Sequence, residues 1–291
     1  MTVPARPTPL FADIADVSRR LAETGYLPDT ATATAVFLAD RLGKALLVEG
    51  PAGVGKTELA RAVAQATGSG LVRLQCYEGV DEARALYEWN HAKQILRIQA
   101  GSGDWEATKT DVFSEEFLLQ RPLLTAIRRT EPTVLLIDET DKADIEIEGL
   151  LLEVLSDFAV TVPELGTLTA TRAPFVLLTS NATRELSEAL KRRCLYLHID
   201  FPTPELERRI LLSRVPELPE HFAEELVRII GVLRGMQLKK VPSIAETIDW
   251  GRTVLALGLD TIDDAVVAAT LGVVLKHQSD QQRATGELRL N

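Results

Sequence analysis

The chain has 291 residues, 46% of them hydrophobic and 25% charged, an ordinary globular composition with room for one large domain and a smaller one. Its net charge of −10 at pH 7 argues against a surface built broadly for phosphate backbones, which disfavours nucleic acid as a partner. The N-terminal MTVPARPTPLFADIADV lacks the apolar core of a secretory signal, and no run approaches the about 20 apolar residues that cross a bilayer. The expectation is a cytoplasmic protein with no membrane span.

In chain order, a helical lead-in occupies about 10–43. Five short apolar runs follow, at 45–49, 71–76, 134–138, 175–179 and 195–199, separated by stretches of helical periodicity. Runs apolar on both faces and alternating with helices predict a parallel five-stranded sheet sandwiched by helices. Cys76 ends the second of these runs and Cys194 immediately precedes the fifth, and both read as buried free thiols. Between the third and fourth runs come a helix at 145–157 and a hairpin at 160–171, broken by Pro163-Glu-Leu-Gly166. After Phe201-Pro-Thr-Pro204 the strand signals stop, and helices are predicted at 205–215, 220–234, 244–257 and 262–276. Thr203-Pro204 has the form of a helix start. The division is therefore an α/β domain over 1–202, a small all-helical lid over 203–277, and a polar, frayed tail over 278–291.

The first run leads directly into Gly50, Pro51, Ala52, Gly53, Val54, Gly55, Lys56 and Thr57, and Glu58 then opens a helix. This is G-x-x-x-x-G-K-[ST] in the strand–loop–helix setting that the motif needs. The glycines let backbone N–H groups turn toward phosphate oxygens, and the helix N-terminus adds partial positive charge. Lys56 suits the β- and γ-phosphates of ATP, and the Thr57 hydroxyl suits Mg²⁺. The third run ends in Asp138 and Glu139. A carboxylate at the strand tip, Asp138, can hold Mg²⁺, usually through water. Glu139 is placed to orient or deprotonate the water that attacks the γ-phosphate, which favours an ATPase over a kinase.

With these motifs the sequence resembles the AAA+ ATPases. The resemblance gives further residues roles. Asn181, after the fourth run, matches the polar sensor of water or γ-phosphate. Arg192 and Arg193, in Ala189-Leu-Lys-Arg-Arg-Cys194, match the segment that carries an arginine finger for the neighbouring subunit, with Arg193 preferred at the strand entrance. Cys194 replaces the aromatic residue usual there. Gly25 and Tyr26 lie where such proteins seat adenine, and an ordinary turn explains them equally well. Within the class the sequence resembles the MoxR family, and in it the CoxD-like ATPases of carbon-monoxide dehydrogenase maturation. The stretches that carry this are Gly25–Asp29, Leu74–Gly79, Ala85–Asn90, Phe117–Leu124 and Val241–Trp250. It implies a homo-oligomeric ring, a hexamer, with a client protein such as a molybdenum hydroxylase and a partner with a von Willebrand factor A domain. The sensor arginine of the helical domain has no counterpart in Pro242-Ser-Ile-Ala-Glu246, where Lys239, Lys240 and Arg252 are the available substitutes.

Other residues carry less. Lys142 and Glu153 flank the acidic pair on a predicted helix that would face the ring interface, and a surface ion-pairing role suits each. Tyr87, Trp89 and Trp105 read as core aromatics. The polar stretch 101–109 suits either a plain loop or one facing a pore. The histidines at 91, 198, 221 and 277 have no metal-pairing spacing. Two other functions stay open: an ATP-driven nucleic-acid motor or loader, and an adaptor switched by ATP without acting as a motor.

Overall fold

The computed structural model describes residues 9–100, 111–259 and 261–288. The chain divides into two compact units. One comprises residues up to Thr24, Pro28–Glu49 and Thr57–His198; the other comprises Gly25–Leu27, Gly50–Lys56 and the chain from Ile199 onward.

The first unit is built on a five-stranded parallel sheet in the order β2-β5-β8-β1-β9. Its strands are β1 (Ala45–Glu49), β2 (Gly70–Gln75), β5 (Thr133–Asp138), β8 (Phe175–Ser180) and β9 (Cys194–His198). Every residue of β5 and β8 is buried, as expected of inner strands covered on both faces. The edge strands β2 and β9 are partly exposed. Helices Ile14–Glu23 and Thr30–Leu42 form the lead-in, each capped by an aspartate, Asp13 and Asp29. Leu47, Leu135, Ile137 and Leu178 join Leu151 and Val154 of helix Ile145–Asp157 in one apolar core.

Two hairpins stand apart from the main sheet. The expected one pairs β6 (Ala159–Val162) with β7 (Gly166–Thr169) and turns at Gly166, where φ is +80°. The second pairs β3 (Tyr87–Trp89) with β4 (Leu118–Gln120) and was not anticipated. Its three-residue strands are too short to show a period in sequence. Tyr87 and Trp89, expected as core aromatics, are instead half-buried on this ribbon, packed at its edge against the core. Trp105 and the 101–109 stretch lie outside the described residues.

The second unit has its own core, in which Leu211, Leu226, Ile230, Trp250 and Leu271 are almost wholly buried. Thr203 caps helix Pro204–Arg214, which has proline in its first turn. Helices Glu220–Gly235, Ile244–Ala256 and Asp264–Val274 follow. A bidentate pair between Arg234 and Glu207, at 2.5 and 2.8 Å, ties helix Glu220–Gly235 to helix Pro204–Arg214 in the interior. The expected frayed tail is corrected: Gln278–Glu287 is a helix. Its polar composition hides two anchors. Ala284 is fully buried, and the Asp280 carboxylate accepts the backbone N–H groups of Lys239 and Lys240.

Cys76 lies just beyond β2 and is fully buried, whereas Cys194 is only partly so, a correction to the expected pair of buried thiols. The strand that starts at Cys194 is an edge strand, which leaves one side open. Burial pushes both thiols up to about 12, helped at Cys76 by the carboxylates of Asp138, Asp141 and Glu139. With almost no thiolate at neutral pH, neither should react with a thiol-selective dye in the native state. Both should react once the protein is unfolded; native labelling of Cys76 within minutes would contradict the burial described.

Candidate functional site

In the first unit the site is assembled at the C-terminal ends of β5 and β8. Asp138, the last residue of β5, is 2% exposed, and both its oxygens are engaged. Oδ1 accepts the hydroxyls of Thr57 at 2.9 Å and Thr179 at 2.5 Å. Oδ2 accepts Nε and Nη2 of Arg73 at 3.0 and 2.5 Å. Thr179 also accepts the Glu139 backbone N–H at 2.9 Å, so one hydroxyl fixes both acidic residues to β8. Arg73 reaches Asp138 because its register partner in the parallel pair is Leu136, two residues before Asp138 and on the same sheet face.

Glu139 adopts a left-handed conformation, φ +56° and ψ +47°, which turns it away from the line of the strand. Such a backbone costs a non-glycine residue on the order of 1 kcal/mol, and it is concentrated at functional sites. Ala182, next to Asn181, is likewise left-handed at φ +56°. The Glu139 carboxylate pairs with Lys142 at 2.7 Å, on a surface open enough for solvent to screen it. Lys142 therefore lies in the turn after β5 and not on the following helix. Glu153, which is on that helix, accepts the Thr161 hydroxyl at 2.8 Å.

Asp141 is 3% exposed and accepts the Thr183 hydroxyl and N–H at 2.5 and 3.1 Å. Burial works to raise its carboxyl, but Thr183 and the Asn181 backbone outweigh it and hold the group below the usual carboxylate range. Arg192 and Arg193 end the helix Glu188–Arg193. Arg193 is held by the Ser156 hydroxyl at 2.5 Å and the Ala189 carbonyl at 3.0 Å, while Arg192 is exposed.

The loop Gly50–Lys56 belongs to the second unit. Lys56 is 6% exposed, and its ammonium donates to the Gly50 and Pro51 carbonyls, both at 2.7 Å. Gly50, Gly53 and Gly55 all have positive φ, at +152°, +78° and +100°. A Cβ on Gly53 would come within 2.3 Å of the Ser243 Cβ, so the loop sits directly on the N-cap of helix Ile244–Ala256. Ser243 and Glu246 form a capping box there. A Cβ on Gly55 would be 3.7 Å from the Tyr26 ring, and one on Gly25 would be 3.8 Å from the Arg214 guanidinium carbon. Ala52 and Val54 complete the loop, with Val54 buried. Glu58 faces outward, 3.7 Å from Arg61. Of the substitutes for a sensor arginine, Lys240 pairs with Glu246 at 3.2 Å and Arg252 with Asp249 at 3.3 Å.

The hydroxyl and carboxylate of Thr57 and Asp138 are a hard-oxygen donor set, which fits Mg²⁺ better than a softer metal. Among the described residues no group of three or more His, Cys, Asp or Glu side chains is arranged to hold a metal. Sequence reasoning passed over Arg73, Thr179, Asp141 and Ser243. Arg73 and Thr179 left a trace, each a polar residue inside an apolar run, and Ser243-Ile-Ala-Glu246 has the Ser-x-x-Glu form of a capping box; Asp141 left none.

Residues 45–194, just over half of the chain, match the AAA domain family of the dynein-related subfamily. Among curated proteins, the chain is similar to the chaperone protein ClpB 1 of Synechocystis sp., 27% identical over 236 residues, which is 76% of this chain and 23% of that protein. It is also similar to the chaperone protein ClpB of Chlamydia pneumoniae, 23% identical over 219 residues, or 71% of this chain and 23% of that one. The chain thus spans under a quarter of the length of these relatives, at 23% in both. Among solved structures, a RuvB variant from Thermotoga maritima aligns with 92% of this chain and 73% of its own, with a TM-score of 0.51 and 19% identity. That likeness concerns the fold, a parallel five-stranded AAA+ sheet flanked by helices and followed by further helices.

Proposed function

This chain belongs to the AAA domain family, dynein-related subfamily; from that premise we propose that it is an ATPase that works in a ring, using hydrolysis to remodel a client protein. The observation that carries this reading is the hydrogen bond between Thr57 and Asp138, residues 81 apart in sequence, beside a left-handed Glu139. It joins the hydroxyl after the phosphate loop to the acidic strand end, the pairing that Mg-nucleotide chemistry requires.

In this reading Lys56 exchanges its two loop carbonyls for phosphate oxygens, and the N–H groups of Gly53, Val54 and Gly55 cradle the phosphates. Thr57 and Asp138 would hold Mg²⁺, which when bound would neutralise charge on the phosphates. Glu139 orients the attacking water and takes its proton, with Thr179 keeping its backbone in place. Asn181 contacts that water or the γ-phosphate. Gly25 and Tyr26 seat the adenine, and Glu58 supports the first turn of the phosphate-binding helix. Arg192 and Arg193 serve the neighbouring subunit, which makes activity depend on assembly. The helical elements from Pro204 onward support reading that part of the chain as a lid that follows a nucleotide-binding domain.

The similarity to chaperone proteins supports remodelling as the outcome. Within the family, the stretches quoted from the sequence favour the MoxR type and its CoxD-like branch. The ring is then a hexamer in the cytoplasm, the client a molybdenum hydroxylase such as carbon-monoxide dehydrogenase, and a von Willebrand factor A domain protein its partner. Among the described residues no helix is long and apolar enough to cross a membrane.

The test is the ATPase rate measured against protein concentration, with particle size in parallel, for wild type and Arg193→Ala. Activity that rises as a nucleotide-dependent ring forms, and a variant that assembles but stays inactive, are the expected results. Turnover independent of both assembly and Arg193 would instead favour an ATP-switched adaptor. Hydrolysis stimulated by DNA or RNA, and steeply salt-dependent, would favour a nucleic-acid motor.

A further inference from the structure

The short helix Glu188–Arg193 is fastened at both ends to the helix Ile145–Asp157, which begins soon after the Glu139 turn. At its start, the Glu148 carboxylate is 3% exposed and accepts the Ser187 N–H at 3.0 Å and Arg184 Nη2 at 2.6 Å. The same Nη2 donates to the Ala143 carbonyl at 2.6 Å. Ser187 in turn caps the short helix through Leu190 N–H at 3.3 Å. At its end, Arg193 donates to Ser156, about two turns further along the longer helix. Between these fastenings and the Glu139 turn, Asp141 holds Thr183. Arg192 is exposed and has no hydrogen-bond or ion-pair partner among the described residues.

Burial works to raise the Glu148 carboxyl, but Ser187 and Arg184 outweigh it and hold the group below the usual carboxylate range. What the arrangement supplies is geometry. An Arg184 guanidinium bridging Glu148 and a backbone carbonyl, together with a capped Ser187, leaves the short helix one seat on its neighbour. We propose that Glu148 and Arg184 are positioning residues that set where the Arg192–Arg193 helix stands relative to the Glu139 turn, so that each subunit's hydrolytic turn and the arginines it offers its neighbour move as one body. This rests on the shared-site reading above.

The test uses mixed rings. Glu148→Gln keeps an acceptor for Ser187 but loses the ion pair. Rings of this variant should bind ATP as wild type does and turn it over about tenfold more slowly, short of the roughly 10³-fold cost of losing a finger arginine outright. Because the defect lies in what the subunit offers its neighbour, equimolar mixing with Glu139→Gln subunits should raise the rate several-fold above the average of the two separate rings. Those subunits supply correctly placed arginines while being inactive themselves. The control is the Arg192→Ala/Arg193→Ala double variant mixed in the same way. Rescue of the control without rescue of Glu148→Gln would overturn the positioning role and leave the shared site standing. Failure of the control itself would remove the shared site, and this inference with it. If Glu148→Gln does not assemble, Arg184→Gln carries the same test from the more exposed end of the pair, and absence of rescue there overturns the proposal.

Discussion

Glu139→Gln will bind ATP with nearly wild-type affinity and turn it over at least about a hundredfold more slowly, the usual scale of loss when a general base is removed. The carboxylate follows the strand end that carries Asp138, and its backbone is held in a left-handed turn by Thr179. The amide has nearly the same shape, so this geometry should survive. The lost ion pair with Lys142 joins two partly exposed side chains, at 35% and 44% exposure, and solvent screening makes its removal nearly neutral for stability. Nucleotide affinity by a fluorescent analogue and phosphate release under saturating ATP separate binding from turnover. Normal turnover would remove Glu139 from the chemistry; loss of binding would make its role structural.

Gly50→Ala should be the most damaging single methyl in the phosphate loop. The added Cβ would lie 1.9 Å from the Ile199 carbonyl oxygen and 3.0 Å from its carbon, both backbone atoms that cannot rotate aside. With φ at +152°, the alanine would also occupy backbone space that L-residues avoid. A stability loss of about 3 kcal/mol or more is expected, and ATP binding should weaken with it. Gly43→Ala is the matched comparison. Its φ is +61°, and no atom lies within 4 Å of the new Cβ, so it should cost about 1 kcal/mol from conformation alone. Denaturant unfolding of both variants decides the matter, and equal losses would show that the approach to Ile199 has no energetic consequence.

Much of the fold was legible because its strongest signals were local. The inner strands are short, apolar on both faces and followed by motif residues, so β1 was read to the residue and the others to within one or two. Thr203-Pro204 and the Pro163–Gly166 break announced their helix and turn in the same way. What stayed hidden depended on distant partners. The β3–β4 ribbon exists because Tyr87 and Gln120 meet across a long insertion, which no local period encodes. The terminal helix looked like solvated tail because polar anchors such as Asp280, with a single fully buried alanine, hold it in place of an apolar stripe. The same contrast runs through the site. The phosphate loop and acidic pair are contiguous in sequence, whereas Arg73 and Thr179 become relevant only once three strands have been set side by side.

The strand order has a mechanical consequence. β8 lies between β1 and β5, with Leu177 opposite both Leu46 and Leu136, so the strand leading to Asn181 is laced to the strands on either side by continuous parallel ladders. Sliding any one of the three by a single residue would invert its side chains and push buried leucines into the wrong layer. The sheet therefore acts as a fixed ruler that keeps the tips of β5 and β8 at one spacing; under the proposed function, any stroke would be generated in the turns and helices beyond those tips.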